Sequence, residues 1–105
     1  MDDYGLPVPS VRKFPNGLAP LVERCHANGI KLGVHYMRGV PRAAVTRDLT
    51  VKGSSHRMRD FAEWENDCNW GPGNVGVDMS KPGAQAFLDS QMAHFAAMGI
   101  DFVKM

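Results

Sequence analysis

A single lysine stands near the end of an apolar run at the C-terminus, Ile100-Asp101-Phe102-Val103-Lys104-Met105. Burying a charged amine without a partner costs free energy, so a lysine in a buried strand is normally paired. In α/β folds, ligands bind at the carboxyl ends of parallel strands. The position of Lys104 therefore indicates either a binding pocket or an edge-strand lysine whose amine reaches water.

The histidines, cysteines and clustered acids show no spacing typical of a metal site. The histidines at 26, 35, 56 and 94 form no H-x-x-x-H or H-E-x-x-H pattern, and Cys25 and Cys68 form no C-x-x-C pair. Glu63, Glu65 and Asp67 lie close together, but side chains two residues apart on a helix point in different directions. The sequence predicts a solvated acidic face there, and no metal or cofactor.

The composition is that of an ordinary globular domain. The chain has 105 residues, 44% apolar and 22% charged, which is enough for one domain with a modest core. Its 12 basic and 11 acidic residues are spread without blocks and give a net charge of +1, so neither nucleic acid nor a membrane is an expected partner. No membrane-spanning run or targeting signal is visible, which leaves the compartment open.

Apolar periodicity predicts a first helix that leads directly into a strand. Residues 1–17 are rich in Pro and Gly and are predicted to be a loop. The helix over 18–28 carries its apolar stripe at i, i+3, i+4 and i+7, on Leu18, Leu21, Val22 and Cys25. Gly29 can close this helix in the left-handed conformation, and a strand over 30–37 follows.

The same order of elements returns near the C-terminus. A helix is predicted over 80–98, with Ser80 as its N-cap and Pro82 in its first turn. Its expected buried stripe is Ala84, Phe87, Leu88, Met92 and Phe95. Gly99 closes it, and a strand over 100–105 follows.

Two helix-to-strand units predict an α/β fold in which the two strands are parallel. The stretch 38–79 between them is predicted to be a long loop with a short helix near 55–64. Connections of this length inside a compact domain are usually functional, and in a (β/α) barrel the strand-to-helix loops lie on the active face. This loop and Lys104 are therefore expected at the same end of the strands.

Several segments follow one another in an order that is found together in one enzyme family. They are Ile30-Lys31-Leu32-Gly33-Val34-His35-Tyr36-Met37-Arg38-Gly39-Val40-Pro41-Arg42, Cys68-x-Trp70 and Gly99-Ile100-Asp101-Phe102-Val103-Lys104, preceded by Asp3-Tyr4-Gly5 and Arg12-Lys13-Phe14-Pro15-x-Gly17. Together they resemble the α-galactosidase (melibiase) type of retaining glycoside hydrolase. The resemblance covers nearly the whole chain in order.

That resemblance implies a partial (β/α)8 TIM barrel in which the chain supplies strands three and four, their preceding helices and the loop after strand two. The family's nucleophile is the aspartate of a Lys-x-Asp motif, in which Lys104 and Met105 match the first two positions. The nucleophile would therefore follow Met105, and the acid/base carboxylate would lie still further on. The implied reaction is retaining hydrolysis of terminal α-galactosyl or related α-linked sugars, and the chain alone is expected to be inactive.

The resemblance also implies a carbohydrate substrate and a set of substrate-binding residues. Lys104 would bind sugar hydroxyls beside the nucleophile, and His35 would contact a hydroxyl unless it is a core histidine bonded to a backbone carbonyl. Trp70 would cover the C–H face of a sugar or only pack the loop. Cys68 lies near the pocket position or is a buried thiol, and Arg38 or Arg42 could pair with a loop acid such as Asp67.

Two other functions remain open at this point. One is a barrel enzyme of another class that uses Lys104 to bind an anion or to form a Schiff base. The other is a non-catalytic sugar-binding module built from two strand and helix units. Two parallel strands with open edges bury little surface, so the chain alone is expected to be molten or to associate with copies of itself.

Overall fold

The computed structural model describes residues 1–67 and 71–105 as an α/β structure. Its helices are α1 (Ala19–Ala27), α2 (Arg42–Thr46) and α3 (Ala84–Ala97), with a 3-10 turn at Met58–Asp60. Its strands are β1 (Gly33–His35), β2 (Val40–Pro41), β3 (Ala62–Asp67), β4 (Asn74–Val77) and β5 (Phe102–Lys104). No helix in these ranges combines the length and apolar character that crossing a membrane requires.

Helix α1 ends in the cap that the sequence predicts. The N–H of Gly29 donates to the carbonyl of His26 at 3.0 Å, and the N–H of Ile30 donates to the carbonyl of Cys25 at 2.9 Å. Gly29 has a φ of 70°, a conformation that residues with a Cβ disfavour. The same pair of hydrogen bonds closes α3 at Gly99, so each long helix turns directly into the segment that leads to a parallel strand.

Strands β1 and β5 are parallel, as predicted, although both are shorter than the predicted 30–37 and 100–105. Gly33 pairs with Phe102, and His35 pairs with Lys104. Exposure alternates along β5, where Val103 is half-buried between two exposed residues. On β1, Val34 is likewise half-buried, whereas His35 is exposed. One face of this pair therefore packs towards the helices, and the opposite face is open.

The predicted N-cap of α3 at Ser80 is wrong. The helix begins at Ala84, and its N-cap is Gly83. Ser80 instead donates to Asp78 Oδ1 from its N–H at 2.9 Å and from its hydroxyl at 2.6 Å. The carboxylate of Asp78 thus holds Ser80 in a turn before the helix, and its pKa is lowered by these hydrogen bonds.

The stretch 38–79 is more regular than the long loop with one short helix that the sequence predicts. It forms the antiparallel sheet of β2, β4 and β3, in that order, together with α2. The helix predicted near 55–64 is also wrong, because only Met58–Asp60 is helical and Ala62–Asp67 is a strand. Phe61 is buried beside Phe87 of α3, with ring centroids 5.5 Å apart, so tertiary packing overrides the helical pattern.

The largest apolar cluster lies in this connecting segment rather than beneath the parallel pair. Its buried residues come from β2, α2, β4, α3 and the loops between them: Val40, Ala44, Val45, Val51, Met58, Phe61, Val75, Ala84 and Phe87. Helix α3 contributes to this cluster at its first half and packs behind β1 at its second half. It therefore connects the small antiparallel sheet to the parallel pair.

Gly39, where the chain leaves β1 for β2, provides a test of this packing. A Cβ at Gly39 would lie 2.5 Å from the carbonyl oxygen of Val75, and φ is +98°. Gly53 has a similar φ of +77° but nothing within 4 Å of its Cβ position. We expect Gly39→Ala to lower the free energy of unfolding by at least about 3 kcal/mol and Gly53→Ala by about 1 kcal/mol, as measured by urea titration. Equal losses would contradict the close approach.

The charged cluster around Asp48 predicts an acid-dependent part of the stability. Arg59 and Arg57 both donate to Asp48 Oδ2, Arg57 from Nε at 2.6 Å, and the hydrogen bond from Arg59 is the main reason that the pKa of Asp48 is lowered. Its stabilising effect is complete above the unfolded pKa of about 3.9 and is lost as the pH falls through the lower folded pKa.

We therefore expect Asp48→Asn to reduce stability at pH 7 and to converge with the unsubstituted chain at acid pH. Asparagine tolerates the left-handed backbone at this position, where φ is 50°, so the substitution isolates the charge. Denaturant titrations over a pH series measure the effect, and Asp89→Asn on α3 is the matched control. A gap of constant size across all pH values would refute the electrostatic explanation.

Candidate functional site

The carboxyl ends of β1 and β5 bring His35 and Lys104 side by side. Their Cα atoms are partners in the parallel register, and the N–H of Tyr36 donates to the Lys104 carbonyl at 2.9 Å. Partnered residues on neighbouring strands point to the same face of a sheet. Both side chains are exposed, on the face opposite Val34 and Val103. An imidazole and an ammonium group therefore share the open face.

A cavity of about 330 Å³ lies at this end of the strands, and its lining includes His35 and Arg38. The other lining residues are Tyr36, Met37 and Met105. A second cavity, of about 500 Å³, also borders Arg38 and Met105 and extends to Leu88 and Gln91 of α3. Of the described residues that line the first cavity, none is Asp or Glu. This arrangement can donate hydrogen bonds to hydroxyl groups, but it does not by itself provide a pair of catalytic carboxyls.

Tyr36, which lines the first cavity, and Gln91, which lines the second, form a hydrogen bond that no sequence pattern predicts. Gln91 Nε2 donates to the Tyr36 hydroxyl at 2.9 Å, and Gln91 is only 2% exposed. Burial raises the pKa of Tyr36, and the hydrogen bond from Gln91 partly offsets that effect. The Tyr36 ring also meets Phe95 edge-on, with centroids 5.3 Å apart. This contact anchors the residue that follows His35.

The buried stripe of α3 differs from the predicted one at the positions that matter for this contact. Ala84, Phe87 and Phe95 are buried as predicted, but Leu88 and Met92 are only half-buried. Gln91 takes the place between Phe87 and Phe95 on the stripe. The sequence carried one signal for this contact: Gln91 lies four residues from both Phe87 and Phe95, and a buried amide side chain needs a hydrogen-bond partner.

The two arginines after β1 are placed differently. The Arg42 guanidinium lies 5.0 Å from the centroid of the Trp64 ring, and its Nε donates to the Pro72 carbonyl at 3.3 Å. The carbonyl of Arg38 accepts a hydrogen bond from Asn74 Nδ2 at 2.9 Å, which ties the end of β1 to β4. Arg38 therefore stays at the cavity, whereas Arg42 belongs to the small sheet.

Two of the predicted binding residues, Cys68 and Trp70, lie outside the described residues. The structure thus brings Lys104, His35 and Arg38 to one end of the parallel strands. Within residues 1–67 and 71–105, no group of three or more His, Cys, Asp or Glu side chains could hold a metal ion.

Comparison with known proteins relates the chain to glycoside hydrolases. No protein-family profile matches it. It is 29% identical, over all of its 105 residues, to alpha-galactosidase 3 of Hypocrea jecorina. The GH27 β-L-arabinopyranosidase of Geobacillus stearothermophilus matches 98% of the chain at 40% identity, with a TM-score of 0.92. A protein of Bacillus halodurans C-125, provisionally named an alpha-N-acetylgalactosaminidase, matches 98% at 39% identity, with a TM-score of 0.93.

The matches extend over the whole chain but over a minor part of each relative. The chain spans 16% of the Hypocrea enzyme and 25% and 26% of the two solved structures. A variant of the Geobacillus enzyme was solved in complex with arabinose, and it matches the chain with the same TM-score of 0.92. The chain and the two solved structures agree in sequence as well as in backbone over 98% of the chain, so the similarity is more than a shared fold. Over nearly its whole length, the chain therefore matches one segment of GH27-type glycoside hydrolases in both sequence and backbone.

Proposed function

We propose that the chain forms the third and fourth strands of a (β/α)8 catalytic barrel that cleaves terminal α-galactosyl or related sugars. The observation that carries this proposal is the pairing of His35 with Lys104 at one strand end, on the face opposite the helices. In a barrel of parallel strands that face points inward, and the carboxyl ends of the strands hold the active site.

The uncovered face of the parallel pair supports the barrel. Parallel sheets occur almost only with both faces covered, yet Phe102 is 57% exposed and Met37 is 37% exposed. Six further strands would enclose these side chains in the barrel interior. On the second face, Val34 and Val103 are half-buried, and Tyr36 contacts Phe95 and Gln91 of α3. A helix therefore covers part of this face, and strands of the barrel would cover the other.

In the proposed reaction, Lys104 and His35 bind sugar hydroxyls while carboxyls from other parts of the enzyme do the bond chemistry. A retaining glycosidase needs an ionised carboxylate as nucleophile and a second carboxyl about 5–5.5 Å away to protonate the leaving oxygen. The nucleophile is proposed to follow Met105, on the same face as Lys104, because alternate residues of a strand share a face. The ammonium group of Lys104 would lower the pKa of that carboxyl and keep it ionised.

A chimera tests this assignment. We expect that this chain, exchanged for the matching quarter of the Geobacillus enzyme, supports hydrolysis of a nitrophenyl glycoside. Lys104→Met in the chimera should lower kcat/KM by at least about a hundredfold, the loss typical of removing one aligned donor. Lys52→Met is the matched control, since Lys52 is exposed and lies near the Tyr4 ring instead. A folded chimera in which both substitutions have equal effects would contradict the proposed role of Lys104.

The open face also predicts self-association of the chain when it is produced alone. Phe102 and Met37, which are 57% and 37% exposed, present apolar surface on this face beside unpaired strand edges. Sedimentation velocity at increasing concentration should detect dimers or larger species, and Phe102→Ser should reduce them. Val11→Ser, at an apolar residue that is 78% exposed in the N-terminal segment, should not. A chain that stays monomeric at every concentration tested would refute this expectation.

A further inference from the structure

Asp101, the residue before β5, makes a dense set of contacts at the amino ends of the parallel strands. Its N–H donates to the Leu32 carbonyl at 2.8 Å. Its Oδ2 accepts hydrogen bonds from the Leu32 N–H at 2.7 Å and from His26 Nε2 at 2.8 Å. Its Oδ1 lies 3.8 Å from the Lys31 amine. One carboxylate therefore joins the end of α1, the start of β1 and the start of β5.

The contacts between Asp101 and Leu32 align β5 with β1. Both of its backbone polar groups bond to Asp101, one to the main chain and one to the side chain. The next residues along, Gly33 and Phe102, are the first partners of the ladder. The Asp101 carboxylate thus accepts the hydrogen bond of the Leu32 N–H, one residue before β1 begins to pair with β5. A charged acceptor makes this hydrogen bond stronger than a bond between neutral groups.

The ladder itself is too short to set its own register firmly. Each strand has three residues, and a slip of one residue would turn every side chain of β5 to the opposite face. After such a slip, Lys104 would point towards the helices instead of towards the open face. Asp101 lies three residues before Lys104. Hydrogen bonds at the start of β5 therefore determine the face on which the Lys104 side chain lies at its end.

A second contact agrees with the same register independently of Asp101. The Phe102 ring lies across Gly33, where a Cβ would come within 2.2 Å of the ring. The ring can take this position only opposite a residue that has no side chain. The neighbours of Gly33 in the sequence are Leu32 and Val34, so the slipped registers would meet a side chain there.

We propose that Asp101 is a positioning residue that fixes the register of β5 on β1 and so places Lys104 on the same face as His35. The functional meaning rests on the proposed sugar-binding role of Lys104, whereas the register itself does not. Asp101 acts as an anion at neutral pH, since its hydrogen bond from Leu32, with a smaller effect from His26, lowers its pKa.

Disulfide trapping measures the register without any assay of activity. In a background of Cys25→Ser and Cys68→Ser, one chain carries His35→Cys with Lys104→Cys, and a second carries Tyr36→Cys with Lys104→Cys. The first pair is opposed in the observed register, whereas the side chain at 36 shares a face with 104 only after a slip of one residue. We expect the first pair to be oxidised in at least about tenfold excess in a glutathione buffer.

Adding Asp101→Ala should reduce this ratio at least about fivefold, the scale expected for losing one charge-assisted hydrogen bond. Asp101→Asn, which keeps an acceptor oxygen for the Leu32 N–H, should restore part of the ratio. Asp89→Ala removes an exposed acid of α3 that bonds only locally to Gln85 and should leave the ratio unchanged.

Phe61→Ala separates register from overall stability, because Phe61 is buried in the small sheet's core and not beneath the parallel pair. It should lower the yield of both disulfides but not their ratio. The proposal is overturned if both cysteine pairs oxidise equally with Asp101 present, if Asp101→Ala leaves the ratio unchanged, or if Phe61→Ala lowers it as much. An inactive chimera with the expected ratios would instead count against the proposed function alone.

Discussion

The register between β1 and β5 is the constraint on which the proposed site depends. Side chains on a strand alternate between two faces, so a parallel pair assigns every residue to one face once a single partner is fixed. With His35 opposite Lys104, the polar groups gather on the open face, and Val34 and Val103 turn towards the helices. The juxtaposition of the His35 imidazole and the Lys104 amine on the open face follows from this one assignment.

Helix α3 packs against the residue that follows β1, on the face opposite His35 and Lys104. Its second half carries Phe95 and Gln91, which contact the Tyr36 side chain from two directions. Its first half carries Phe87, which closes the core of the small antiparallel sheet. A helix of 14 residues is long enough to reach both regions, since each residue adds about 1.5 Å. The sheet that borders the cavity and the strands that carry the polar groups thus share one support.

Local sequence signals predicted the regular parts of the fold and failed where distant contacts decide. The glycine caps after α1 and α3 were predictable because they depend on a few adjacent residues, and the parallel pair follows from two such units. Ser80 was a plausible helix cap, but Asp78 binds it first. The region around Phe61 had a helical pattern, yet packing against Phe87 makes it enter a strand.

For the candidate site, the sequence identified Lys104, His35 and Arg38 as residues of interest but could not provide their register. That register depends on contacts between residues far apart in the chain, such as Asp101 with Leu32. Gln91 was missed because a single polar residue on an apolar stripe has no recognisable partner until the strand behind it is placed.

The small antiparallel sheet has its own buried core, separate from the ladder of β1 and β5. Substitutions on its outward surface can therefore accumulate during evolution without disturbing the strands that carry Lys104 and His35. Trp64 of β3 is 47% exposed on that surface, and the Arg42 guanidinium lies 5.0 Å from the centroid of its ring. A substitution in this sheet would reach the strands that carry Lys104 and His35 mainly through α3, the helix whose Phe87 and Phe95 contact both regions.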